Sequence, residues 1–244
     1  MTAHAKKYFY EHGLPFPQDL KKEVLEPLIR DLNREPSILV LDGTSGTGKT
    51  SLAVHLADCV NEMNGQLIVD LTPQNNIQLG HGGVDLTEMS EKASEAGFIV
   101  FIFDEADFEK KGTMTKYNRN LHKFFREYRQ LKILIILVIQ SVSWLDNDLH
   151  DGGLIKGLIH LHDPTKNYTS YSVYDLENLS YLLDRMERLG RHKKRKAYTV
   201  VHGYKRGQFL DLSPERREQL RLLSTSFKKK TRKAIVKNLK ADKT

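Results

Sequence analysis

Residues 43–50 read Gly43-Thr44-Ser45-Gly46-Thr47-Gly48-Lys49-Thr50, and the predicted architecture follows from them. They fit the pattern Gly, four residues, Gly-Lys-Ser/Thr that is typical of phosphate-binding loops. An apolar run over 37–41 precedes the motif and a helical pattern over 50–63 follows it, so the sequence predicts the strand, loop and helix that the motif requires. It is not a dinucleotide fingerprint, because Ser51 stands where that fingerprint has a third glycine.

This loop has the chemistry to bind a triphosphate and its magnesium ion. Its glycines allow successive backbone N–H groups to turn inward, and the following helix adds partial positive charge at its N-terminus. Lys49 would reach the β- and γ-phosphates, and the Thr50 hydroxyl would hold Mg²⁺. The predicted binding set is Gly43, Thr44, Ser45, Gly46, Thr47, Gly48, Lys49, Thr50 and Ser51. The alternative is a glycine-rich turn that binds nothing.

Two further strands end in polar residues that suit the same site. The apolar run over 98–103 ends in Asp104-Glu105. Asp104 would complete the Mg²⁺ shell, and Glu105 is the candidate base that polarises the attacking water. The run over 133–139 ends in Gln140, which can touch the γ-phosphate or the water. In both cases the alternative is a polar residue that only closes a strand.

The alternation of strands and helices predicts an α/β fold, a doubly wound and mainly parallel sheet with ligands at the carboxyl ends of the strands. We expect an N-terminal arm and helix over 1–35, a nucleotide-binding domain over 36–190 and a basic region over 191–244. Other expected strands cover 66–71, 158–161 and 168–174, the last at an edge, and a polar loop covers 72–83. The basic region is expected to form a small appendage, with a β-hairpin from strands 198–202 and 208–212 and a helix from Pro214.

Charge is segregated along the chain. The net charge is +7, but residues 1–190 hold 20 Lys and Arg against 27 Asp and Glu, whereas residues 191–244 hold 18 against 4. Such asymmetry favours an anionic partner, and we expect DNA, contacted through 191–244. The alternative is that these residues form a disordered tail that only increases solubility. His160 and His162 share one face of a predicted strand, but two histidines without a third ligand rarely make a metal site.

The same sequence predicts a cytoplasmic protein. Cys59 is the only cysteine, so no internal disulfide can form, and it is typical of a thiol in a reducing compartment. The longest apolar run, 133–139, is too short to cross a bilayer, and the N-terminus lacks the apolar core of a signal peptide.

The order of these motifs resembles a known branch of ATPases. A phosphate loop, a strand with Asp104-Glu105, a helix with Arg126 and Arg129, and a strand ending in Gln140 look like the additional-strand catalytic-glutamate class of P-loop ATPases. Residues 125–141, followed by Leu145-Asp146, are similar to the FtsK–HerA type, which includes DNA pumps, viral packaging ATPases and zonula-occludens-toxin-like proteins. The resemblance covers roughly residues 36–165.

The resemblance implies ATP hydrolysis with Mg²⁺ by a homo-oligomer, such as a hexameric ring. An arginine of one subunit would enter the site of the next, and Arg129 is favoured over Arg126. Filamentous-phage members carry a membrane segment that this sequence lacks, which leaves soluble DNA handling or genome packaging in a prokaryotic or virus-infected cell.

Two other functions fit the same motifs. An AAA+-like loader that remodels a protein–DNA assembly shares the loop and Asp104-Glu105, but it would normally have Asn, Ser or Thr in place of Gln140. It would also carry a helical lid, for which Arg185, Arg188 and Arg191 are available, and a helical bundle after the sheet would favour it. The third function is a slow, ATP-gated DNA-binding switch.

Overall fold

The structure is a computed structural model that describes residues 20–32, 36–63, 77–80, 99–104, 132–144, 153–163, 168–189, 194–209, 211–222 and 225. Its centre is one seven-stranded sheet. The strands are β1 (Ser37–Gly43), β2 (Ile77–Gly80), β3 (Ile99–Phe103), β4 (Ile133–Val138), β5 (Ile155–Leu161), β6 (Thr169–Tyr174) and β7 (Lys205–Phe209).

The strand order is β2-β3-β4-β1-β5-β6-β7. The first five strands in this order are parallel, and β6 and β7 extend the sheet in antiparallel fashion. The predicted α/β fold with a mainly parallel sheet is therefore confirmed. Strand β4 lies between β1 and β3, so the carboxyl ends of these three strands meet at one edge.

Helices cover the sheet. They are a π-helical turn Lys21–Leu25 that runs into α1 (Glu26–Leu32), then α2 (Lys49–Met63), α3 (Leu176–Leu189) and the short α4 (Ala197–Val200), with helical residues also at 214–222. Asp175 caps α3, because its Oδ1 accepts the N–H of Asn178 at 2.9 Å. Within the described residues, no helix is both long enough and apolar enough to cross a membrane.

The core lies on both faces of the sheet. Leu39 and Leu41 of β1 pack toward α2, whereas Ile38 and Val40 pack with the cluster that includes Leu179 of α3. Every residue of β1 is buried. Burial on both faces explains why the parallel strands read as continuous apolar runs instead of alternating patterns. Each fully buried Leu or Ile contributes about 1.5–3 kcal/mol.

The structure corrects the prediction for residues 72–83. A strand, β2, forms at Ile77–Gly80, inside the predicted polar loop. At four residues it is too short for its periodicity to stand out, and pairing with β3 at the edge of the sheet stabilises it. The strand predicted at 66–71 lies outside the described residues.

The predicted C-terminal hairpin is wrong. Residues 197–200 form α4, because this turn carries Tyr198 to a buried hydrogen-bond partner, Asp42. Strand β7 pairs with β6 instead, so β6 is not an edge strand and residues 205–209 belong to the main sheet. Gly203 and Gly207 make this pairing possible, since a Cβ at either position would collide with Val173 or Tyr171. The helix predicted to begin at Pro214 is present at 214–222.

Candidate nucleotide-binding site

The phosphate loop connects β1 to α2 with a backbone that requires glycine. Gly46 and Gly48 have φ values of 81° and 82°, in the left-handed region that favours glycine. A Cβ on Gly43 would lie 2.6 Å from the carbonyl oxygen of Leu161, whereas a Cβ on Gly46 would meet no atom within 4 Å. The loop is therefore packed against β5 at its start and open at its middle, as a cradle for phosphate must be.

Lys49 and Thr47 hold the loop from inside. The Nζ of Lys49 donates to the carbonyl oxygens of Gly43 at 2.8 Å and Thr44 at 2.7 Å. The hydroxyl of Thr47, which is buried, donates to the Thr44 carbonyl at 2.9 Å. The ammonium group thus lies against the loop. There its positive charge would stabilise a phosphate bound by the backbone N–H groups.

Thr50 and Asp104 meet beneath the loop. The Oγ1 of Thr50 donates to Oδ1 of Asp104 at 2.9 Å, although 54 residues separate them in sequence. Asp104 is 8% exposed and follows β3, and Thr50 lies in the first turn of α2. One carboxylate and one hydroxyl are hard oxygen ligands of the kind that Mg²⁺ takes while it keeps several waters. The pair therefore fits the predicted magnesium ion.

Gln140 lies beside the loop. The pairing of β4 with β1 continues past the strand, since the N–H of Ile139 donates to the Leu41 carbonyl at 2.9 Å. Gln140 is exposed and lines a cleft of about 460 Å³ together with Gly43 and Thr44. Its amide can therefore reach a group bound at the start of the loop.

Three predicted residues cannot be placed. Glu105, Arg126 and Arg129 lie outside the described residues, so their roles as base and as trans-acting arginine stay predictions.

The sequence analysis missed a hydrogen-bond hub around Asp42, the residue before the loop. Its fully buried carboxylate accepts the N–H of Val142 at 2.8 Å and the hydroxyl of Tyr198, and it bonds Nδ1 of His160 at 2.7 Å. The rings of Tyr198 and His160 stack with centroids 3.6 Å apart. In the sequence, Asp42 stands out as an acidic residue inside an apolar strand. Its hydrogen-bond partners come from distant parts of the chain, so the sequence does not identify them.

The C-terminal part of the described chain also contacts the loop. The Ser51 hydroxyl donates to Asp211 at 2.8 Å, and the ring of Phe209 lies 3.7 Å from the position of a Cβ on Gly48. On the other side of the loop, the Thr44 hydroxyl donates to Asp163 at 2.8 Å. These contacts tie the loop and the first turn of α2 to the residues that follow strands β5 and β7.

Burial tunes the ionisable groups near the cleft. It lowers the pKa of His162, and the neighbouring His160 and Arg206 lower it further, so His162 favours its neutral form. Burial, with the negative charge of Asp42, raises the pKa of Tyr198 well above 10, so this phenol stays protonated and donates to Asp42. No group of three or more His, Cys, Asp or Glu side chains in the described part of the chain could hold a metal ion.

No protein-family model matches this chain, and a search of curated proteins found no match. Solved structures similar to it include Rhizobiales Trip13 (18% identity, 65% of this chain and 54% of that one, TM-score 0.34). They also include the E. coli MS115-1 HORMA:CdnC:Trip13 complex (16% identity, 81% and 63%, TM-score 0.38) and the N-terminal domain of zonular occludens toxin from Neisseria meningitidis (14% identity, 72% and 95%, TM-score 0.41).

The chain spans 54% and 63% of the matched chains in the first two of these structures. With identities of 18% or less and TM-scores of 0.41 or less, these likenesses do not assign a family. The α/β fold and the phosphate-loop site therefore rest on this chain's own strand order, loop geometry and side-chain contacts.

Proposed function

We propose that this protein is an ATP-hydrolysing motor that acts on DNA, of the FtsK–HerA type that its motifs resemble. The observation that supports it most is the 2.9 Å hydrogen bond from Thr50 to Asp104, formed directly beneath a glycine loop that carries Lys49. The two halves of a triphosphate site lie far apart in sequence, and this contact joins them.

The proposed roles follow from position. The loop N–H groups and Lys49 bind the phosphates, and Thr50 and Asp104 hold Mg²⁺, which supplies positive charge against the phosphate oxygens. Glu105 follows Asp104 directly in sequence and is the proposed base for water. Gln140, at the end of the strand between β1 and β3, is proposed to orient that water or contact the γ-phosphate. Arg129 of a neighbouring subunit in a ring is proposed to stabilise the developing charge.

The proposed DNA contact draws support from charge. The excess of Lys and Arg in residues 191–244 includes a short 3₁₀ helix, Lys194–Lys196, whose residues reach the surface beside the nucleotide site. Contacts of this kind go to backbone phosphates, so they carry no sequence preference and weaken with salt.

The AAA+-like loader is the second candidate, and the topology favours the motor. After β5 the described chain extends the sheet with the antiparallel strands β6 and β7, where the loader would have a helical bundle. The third candidate, a slow switch, shares every binding residue and differs only in its rate of hydrolysis.

The test is steady-state ATP hydrolysis by the wild type, Lys49→Ala and Glu105→Gln, each without DNA and with single- or double-stranded DNA. We expect DNA to stimulate the wild type, Lys49→Ala to lose nucleotide affinity, and Glu105→Gln to bind ATP but not hydrolyse it. Very slow turnover combined with nucleotide-dependent DNA affinity would identify the switch. Hydrolysis that DNA leaves unchanged, with DNA binding insensitive to salt, would reject the motor.

A further inference from the structure

The cleft beside the phosphate loop is lined by Gly43 and Thr44 of the loop and by a basic wall, Lys194 and Arg195 of the 3₁₀ helix. Its other lining residues include the apolar Leu161 and the polar Gln140, Ser141, Ser143, His160 and His162. At about 460 Å³ the cleft has room for more than the terminal phosphate of a nucleotide held by the loop.

The Asp42 hub fixes the basic wall in place. Tyr198 follows the 3₁₀ helix by two residues, and its hydroxyl donates to the buried Asp42 while its ring stacks on His160. Lys194 and Arg195 are therefore carried on a backbone tied to the strand that enters the phosphate loop. A positive charge held in this way loses less conformational entropy when it binds an anion than a charge on a free tail does.

The same hub also orients the ring of His160. Its Nδ1 bonds Asp42, which leaves Nε2 as the ring nitrogen that Asp42 does not hold. Because Asp42 also accepts hydrogen bonds from Val142 and Tyr198, its negative charge is satisfied inside the fold. The carboxylate that lines the cleft, Asp163, accepts the Thr44 hydroxyl.

We propose that this cleft binds a backbone phosphate of the polynucleotide, held by Lys194 and Arg195. The inference rests on the proposed function, because it takes the polynucleotide of that proposal as its ligand. Gln140 and Thr44 line the same cleft, so the polynucleotide phosphate would lie close to both. This position gives DNA a direct route to the groups that bind and orient the triphosphate.

The chain offers a matched control for the basic wall. Lys196 is exposed and belongs to the same 3₁₀ helix, but it does not line the cleft. We would measure binding of labelled single- and double-stranded oligonucleotides, as a function of salt, to the full-length wild type, Lys194→Gln, Arg195→Gln and Lys196→Gln. Binding of a labelled ATP analogue is measured on the same proteins without polynucleotide, and thermal melting verifies that each is folded.

We expect Lys194→Gln and Arg195→Gln each to weaken polynucleotide binding about 10-fold and to reduce the salt slope by about 1. Lys196→Gln should have a smaller effect, and nucleotide affinity should be unchanged in all three. Equal losses in all three variants would overturn the inference, because the contact would then be spread along the basic run. A loss of nucleotide affinity alone would also overturn it, since the phosphate in the cleft would belong to the nucleotide.

Failure of the inference differs from failure of the proposed function. A wild type that binds no polynucleotide and hydrolyses no ATP would overturn both. A wild type that binds polynucleotide and hydrolyses ATP, with Lys194→Gln and Arg195→Gln behaving like Lys196→Gln, would overturn the inference alone.

Discussion

At the scale of single residues, the site combines a local motif with long-range contacts. The loop from Gly43 to Thr50 could be predicted because its chemistry is written in eight consecutive residues. Asp104 could be predicted because it follows a buried strand, and the structure places it 2.9 Å from Thr50. The Asp42 hub could not be predicted, because Val142, His160 and Tyr198 reach Asp42 from 100 or more residues away.

Thr50 tests the magnesium assignment. In Thr50→Ala the hydroxyl that bonds Asp104 is lost, and we expect kcat/KM for ATP to fall about 100-fold, equivalent to about 3 kcal/mol. Thr50→Ser keeps a hydroxyl in place and should retain most of the activity. The measurement is ATP hydrolysis as a function of Mg²⁺ concentration. Equal activity in the Ala and Ser variants would contradict the role of the hydroxyl.

Asp42 tests the hub. Asp42→Ala leaves the buried donors of Val142 and Tyr198 without an acceptor, and we expect the free energy of unfolding to fall by about 3 kcal/mol. Tyr198→Phe removes one donor and should cost about 1 kcal/mol. Tyr181→Phe, at a side chain that is 61% exposed, is the control and should change little. Urea denaturation measures the free energy of unfolding of all three variants. An Asp42→Ala variant as stable as the wild type would show that the hub adds no stability.

His162 makes stability depend on pH. Its pKa is lowered on folding, mainly by burial, so between that lowered value and about 6.5 the unfolded chain binds more protons than the folded one. The free energy of unfolding should therefore fall as pH decreases from about 7 through this window. His162→Gln should flatten the curve, and the difference between the two curves isolates His162. A wild-type curve parallel to that of the variant would contradict the assignment.

At the scale of secondary-structure elements, strands with a high apolar content were predicted correctly from the sequence. Strands β1, β3 and β4 were predicted because burial on both faces requires continuous apolar runs. The hairpin prediction failed because Tyr198 alternates like a strand residue but satisfies its hydroxyl only as part of a helical turn against Asp42. Strand β7 pairs with β6, from which about 30 residues separate it in sequence, and no local pattern reports such a partner.

The helical residues 214–222 dock onto α2 through charge. Arg216 pairs with Asp58, and both side chains are mostly buried, whereas Arg217 pairs with Asp211 at 2.6 Å on the surface. Burial raises the pKa of Asp58 although Arg216 lowers it, so the carboxylate depends on its partner.

Adjacent arginines therefore give a matched test of this docking. Arg216→Ala leaves Asp58 buried and unpaired, and we expect a loss of about 3 kcal/mol in the free energy of unfolding. Arg217→Ala removes an exposed pair and should cost less than about 1 kcal/mol. Chemical denaturation of both variants measures the difference. Similar losses in the two would show that the ion pair of Arg216 does not dock this segment.

At the scale of the whole molecule, the separation of charge is the feature that the proposed function depends on. An acidic nucleotide-binding part and a basic C-terminal part share one sheet, since β7 comes from the basic region. A polynucleotide attracted to the basic region would consequently lie close to the phosphate loop. A tail that only increases solubility needs positive charge but does not need it at one place. The DNA-contact and solubility interpretations therefore predict different effects on DNA binding when charge is removed from different parts of the chain.

Two triple variants separate them. Replacing Lys228, Lys229 and Lys230 with Gln removes three charges from the basic region, and replacing Lys22, Arg30 and Lys132 with Gln removes three exposed charges from the acidic part. If the basic region contacts DNA phosphates, the first variant should reduce the slope of log affinity against log salt by up to about 3 for duplex DNA. The second should leave the slope nearly unchanged, because its charges lie outside the contact and salt screens them over about 8–10 Å. Equal changes in both variants would show that net charge matters and location does not, and the DNA contact through 191–244 would then have to be abandoned.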